Sequence, residues 1–139
     1  MRVIVLLLSL LVVLFVTSGC VNALNGQKIT VQKRTGEENI FEDYKEVTQK
    51  QQVKKAIDIV KQADWDNVKV EMAGYADYQF QFPFKNRSGN EDKIASYLLW
   101  ISPLGENLEI VRDTGKYVKL SKQDSADLFE ILTGEALEK

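Results

Sequence analysis

Tyr78, Phe80, Phe82 and Phe84 alternate with Gln79, Gln81, Pro83 and Lys85. Four large rings two residues apart cannot share one side of a helix. They do line one face of a β-strand, because successive strand side chains point to opposite sides. Residues 78–85 are therefore expected to form a strand with one apolar face, and that face needs a cover. Pro83 has no N–H to give to a ladder, so this strand should have an open edge near its end. The "NRSGNED" that follows reads as a hairpin loop. Residues 94–102, "IASYLLWIS", are almost continuously apolar, so they are expected to be a central strand buried on both faces, with Trp100 in the core.

The rest of the chain supplies more strands and the cover. "KITVQKR" (28–34) alternates Ile29 and Val31 with polar neighbours and reads as a half-buried strand, "TGEEN" as a turn, and "IFEDYKEV" (40–47) as a second short strand. Thr48 with Gln51 has capping-box spacing, which places a helix start there. Val53, Ala56, Ile57, Val60 and Ala63 then share one helical face, with lysines around the remainder. "VKVEM" (68–72) is expected to be a short strand, "AGYAD" a break. Further strands are expected at 108–113 and 116–120. Ser121 with Asp124 caps a last helix, lined by Leu128, Phe129, Ile131 and Leu132 and ending near Gly134. The sum is an α+β domain: an antiparallel meander of about five to six strands with two helices packed on one face.

Ahead of this domain, Arg2 is followed by "VIVLLLSLLVVLFV" (3–16), apolar except for Ser9, and then by Thr17-Ser18-Gly19-Cys20. A positive start and an apolar run of this length have the form of a signal peptide. As a helix, residues 3–16 would span about 21 Å, short of the about 30 Å of a bilayer core. Cys20 is the single cysteine and the chain contains no histidine. It therefore lacks both a disulfide partner and the usual base of a cysteine nucleophile. Val16 to Cys20 resembles the lipobox of bacterial lipoproteins, although Thr17 stands where leucine is commoner. That resemblance implies cleavage after Gly19 and diacylglycerol on the Cys20 sulfur. Retention of the run as an uncleaved membrane anchor is the competing reading. The expected organisation is a signal peptide at 1–19, a tether at 20–27 and a single domain at 28–139.

Tyr97-Leu98-Leu99-Trp100-Ile101, the hairpin after it, and Tyr117 to Ser121 with Asp124, Leu128 and Ile131 resemble small uncharacterised lipoproteins or membrane-anchored proteins of Bacillus-type Gram-positive bacteria. The likeness runs over roughly residues 27–134 and is strongest over 97–131. It implies a fold and an envelope location, and no activity.

Signals for chemistry are sparse. Asp113-Thr114-Gly115 matches half of an aspartic-protease pair, but the chain has no second copy and a turn between two strands is far the commoner reading. Asp64-Trp65-Asp66-Asn67 lacks the glycine and distal glutamate of a calcium loop, and Glu37, Glu38, Glu42, Asp43 and Glu46 read as a solvated surface. Asn86-Arg87-Ser88 is a formal glycosylation sequon without consequence in a bacterial lipoprotein. Without histidine, no metal cluster of ordinary ligand spacing can be built, and neither metal nor cofactor is expected. With 18 basic and 20 acidic side chains interspersed, no basic patch points to nucleic acid. The expected role is a monomeric binding or interaction domain without catalytic residues, lipid-anchored on the extracytoplasmic face of the cell membrane, its partner an envelope protein or small ligand. A small hydrolase with a Ser-Lys or carboxylate site is the alternative. Trp65 and Tyr75, in expected loops, are the candidate contact residues.

Overall fold

The computed structural model describes residues 28–85, 92–112 and 115–138, with backbone alone at 83–85 and 92–94. The lipobox-like run, Cys20, the sequon and Asp113-Thr114 lie outside the described residues. Six strands form one antiparallel sheet: β1 (Ile29–Arg34), β2 (Phe41–Val47), β3 (Tyr78–Lys85), β4 (Asp92–Ile101), β5 (Leu108–Arg112) and β6 (Tyr117–Lys119). Helix α1 (Lys50–Gln62) connects β2 to β3, and α2 (Lys122–Thr133) closes the chain. The spatial order is β2-β1-β3-β4-β5-β6. β3 to β6 run as a meander, while the first hairpin is turned so that β1, not β2, adjoins β3. This is the expected α+β domain.

Tyr78, Phe80 and Phe82 of the aromatic stripe lie on the helix-facing side. Across the sheet, Val31 is opposite Phe80 and Phe80 opposite Tyr97. In the next inner row Tyr78, Leu99, Ile110 and Val118 follow one another across four strands. Phe80 and Phe82 are fully buried, and the Phe80 ring stacks on Tyr97 with centroids 5.0 Å apart. Val53, Ala56 and Val60 of α1 and Leu128, Phe129, Ile131 and Leu132 of α2 complete the same core. The expected open edge is present, because pairing between β1 and β3 stops at Gln81, two residues before Pro83.

The two helices begin differently. Ser121 caps α2, its hydroxyl accepting from the Asp124 N–H at 3.1 Å. The chain leaves α2 through Gly134 at φ +78°, which a side chain would strain. By contrast, Thr48 does not cap α1. The N-cap is Gln49, which makes no side-chain capping bond, so the helix starts one residue later than the Thr48–Gln51 spacing implied.

Three further expectations are corrected. Residues 68–72 form no strand and pair with none. β4 is one of the two central strands, yet it is buried on one face only, because both helices lie on the same side; Leu98 and Trp100 point to the other side and stay half-buried. Trp100 is therefore not part of the core. Trp65, expected in an exposed loop, packs against the core instead. Its Nε1–H donates to the Val60 carbonyl at 2.8 Å, closing the C-terminal turn of α1, and its ring meets Tyr97 at 5.9 Å and the Arg112 guanidinium at 5.7 Å.

Candidate functional site

The side of the sheet away from the helices carries one cross-strand row that spans all six strands: Asp43, Gln32, Gln79, Leu98, Val111 and Tyr117. Its β1–β3 half is amide-rich and its β4–β6 half is apolar. Gln32 Nε2 donates to Asp43 at 2.9 Å, and the Tyr117 hydroxyl donates to Glu109 at 2.6 Å. Burial, followed by the Glu109 hydrogen bond and charge, pushes the Tyr117 phenol up to about 12. Trp100 stands beside this row.

A strap, residues 64–77, borders that apolar half. It leaves α1, pairs through Asp66 with Tyr117 at the β6 edge (N–H to carbonyl distances of 2.8 and 3.1 Å), and reaches β4, where the Trp100 Nε1–H donates to the Gly74 carbonyl at 3.3 Å. Asp64 and Asp66 are exposed, and Asp66 serves the backbone bridge. Among the described residues no group of three or more Asp, Glu, His or Cys is placed to hold a metal ion.

Strand directions give the sheet two distinct ends. Lys28 enters at one of them, beside Val47. At the opposite end lie the β1–β2 hairpin, the end of the strap and the β4–β5 turn. Two polar residues bind these three segments together. Arg34 donates through Nε to the Ala76 carbonyl at 3.0 Å and through Nη1 to the Gly36 carbonyl at 2.6 Å. Its guanidinium lies 3.9 Å from Asp77, whose other oxygen accepts from the Ile101 N–H at 2.8 Å. The loops so fixed expose Ile40 (52 %), Tyr75 (55 %) and Leu104 (79 %).

Tyr75 is thus exposed as expected and Trp65 is not; the structure does not bring the two together as one site. Arg34 and Asp77 were invisible in the sequence, since an ion pair between distant segments leaves no local pattern. Leu104 and Ile40 gave a weak signal as apolar residues in turn-rich stretches. Three of the described serine hydroxyls have structural duties: Ser102 accepts from the Asn107 N–H, Ser121 caps α2 and Ser125 accepts from the Leu108 N–H while fully buried. An open groove of about 290 Å³ between the helices is lined by Gln51, Gln52, Lys55, Asp127, Glu130 and Ile131, and Lys55 pairs with Asp127 there at 3.0 Å.

Comparison with known proteins gives a family. The family model described as YhfM protein matches residues 22–138. An uncharacterised protein YhfM of Bacillus subtilis (strain 168) is 32 % identical over 102 residues, covering 73 % of this chain and 67 % of the relative. No solved structure matches. The chain belongs to the YhfM family.

Proposed function

We propose that this member of the YhfM family is a lipoprotein of the cell envelope, anchored through Cys20 to the outer face of the cell membrane, and that its α+β domain binds a partner there. The anchor rests on the Arg2 start, the apolar run 3–16 and the lipobox-like Val16 to Cys20. Two acyl chains make a lasting attachment where one is marginal. The observation that carries the binding role is the polarity of the sheet. Residue 28, from which the tether leads back to Cys20, lies at one end, and Ile40, Tyr75 and Leu104 project from braced loops at the other. Exposed apolar side chains on a rigid end facing away from the membrane fit an envelope partner. Scattered surface residues of this kind need no purpose when they sit singly, but the Arg34–Asp77 brace gathers their three segments at one end.

Growth in a labelled fatty acid tests the anchor. The wild-type chain should take up label, and Cys20→Ala should not; label retained by the alanine variant overturns the anchor. A photo-crosslinking side chain at position 104 should yield a discrete adduct in intact cells, and the same group at position 54, on the exposed side of α1, should not. Equal yields at both positions overturn the binding end.

A further inference from the structure

Residues 68–72, Val-Lys-Val-Glu-Met, have the alternation of a strand, and the fold leaves them unpaired. No helix, turn or bend interrupts residues 67–72. Among the described residues, no hydrogen bond engages the backbone of residues 67–73; the nearest backbone bonds on either side are those of Asp66 and Gly74. Val68 and Val70 are 63 % and 39 % exposed, Lys69 and Glu71 are exposed, and Met72 is half-buried. A segment outside helix and turn, with open N–H and C=O groups, β-branched side chains and strand-like alternation, is a template for strand pairing.

The charges select the strand that fits. In antiparallel pairing with an identical segment about Val70, Val70 faces Val70, Val68 faces Met72, and each Lys69 faces a Glu71. Both ion pairs are then attractive and all three apolar side chains share one face. Centring one residue earlier sets Lys69 against Lys69, and one later sets Glu71 against Glu71, so the register is fixed. The outer edge of β2 is the contrast. Self-pairing about Tyr44 sets Glu42 against Glu46 twice, offsetting the two Asp43–Lys45 attractions, and Tyr44 is the extra residue of a bulge opposite Val31 and Gln32, which interrupts the edge. At the other edge of the sheet, Asp66 already occupies β6.

We infer that a second copy of this chain docks on residues 68–72, forming a two-fold symmetric, antiparallel ribbon centred on Val70. A monomer is what the sequence alone leads one to expect, and the oligomeric state decides between the two. A two-stranded ribbon of this length is marginal alone, so the dimer forms in a concentration-dependent way. The inference does not rest on the lipid anchor.

The test is charge exchange, read by sedimentation equilibrium of the full chain in non-ionic detergent over a wide concentration range. Wild type should approach twice the chain mass at high concentration. Lys69→Glu alone and Glu71→Lys alone each create two like-charge pairs and should weaken the dimer by about tenfold. The double exchange, K69E with E71K, restores both attractions and should restore the dimer. An equimolar mixture of the two single variants should give a heterodimer. Wild type that stays monomeric throughout overturns the proposal. So do single variants that associate as wild type does, or a double variant that remains dissociated.

Discussion

At the scale of single residues, the two tryptophans have exchanged the roles their neighbours in sequence implied. Trp65 caps the end of α1 and fills the space against Tyr97 and Arg112, whereas Trp100 makes one indole hydrogen bond on the half-covered side. Trp65→Ala should therefore cost about 3 kcal/mol, near the low end for burying a large ring, because it removes packing and leaves the Val60 carbonyl without that donor. Trp100→Ala should cost about 1 kcal/mol. Urea melts of the two variants measure both, and the reverse order would return Trp100 to the core. A second expectation concerns the phenols. Burial, with smaller contributions from Tyr44, Glu135 and Asp77, pushes Tyr78 up to about 12 from the ordinary 10.0. The folded state holds this proton more tightly than the unfolded chain. Its contribution is therefore complete below pH 10.0 and lost as pH rises to about 12. For the nearly buried Tyr78 the loss is on the order of 2 kcal/mol. Denaturant midpoints should fall over that window, and Tyr78→Phe should fall less steeply; equal slopes would remove Tyr78 as the cause.

At the scale of elements, the helix ends are unequal in ways substitutions can read. Ser121→Ala removes the hydroxyl that satisfies the Asp124 N–H and should cost about 1 kcal/mol. Gly134→Ala should cost about 1 kcal/mol as well, because φ is +78° and a methyl there would meet the Lys45 ammonium at 3.2 Å. Gln49→Asp should do the opposite. α1 has neither a side-chain cap nor an acid in its first turn, so a carboxylate there should add about 1 kcal/mol. Thermal melts compare all three. The elements most legible in the sequence were those whose period is imposed by burial: the ring stripe of β3, the apolar face of α2, and α1 from Val53 to Ala63. Thr48 misled because capping-box spacing specifies a possible bond, and the backbone turns into the helix one residue later. The segment 68–72 misled for a related reason. Alternation shows that a stretch fits a sheet, and whether a neighbouring strand is there to receive it depends on the path of the whole chain.

At the scale of the molecule, the sequence foretold one sheet with both helices on a single side, but not that the central run 94–102 would accordingly be buried on one face only. Continuous apolarity in 94–102 arises here from a helix-covered face bearing Tyr97 and Leu99 and an opposite face bearing Leu98 and Trp100 beside the strap, a half-cover that no period reveals. The loop-end site was hidden for the same reason: Ile40, Tyr75 and Leu104 are brought to one end only by strand order and the Arg34–Asp77 brace. That organisation bears on independence. The core draws on β1 to β6, α1 and α2, beginning at Ile29 and continuing to Leu132, and Leu137 packs against its margin. The Lys28–Glu46 ion pair, 2.7 Å long but exposed, is the first contact after the tether and contributes at most about 1 kcal/mol. The described core closes between Ile29 and Leu132 with every strand and both helices contributing, so residues 28–139 produced alone should fold. Their far-ultraviolet circular dichroism should show the helices and sheet, and their melting temperature should lie within a few degrees of the full chain's in detergent. A chain that is unfolded when shortened at residue 28, or that melts far earlier, would mean that the segment before Ile29 packs on the domain and is part of its structure rather than a tether.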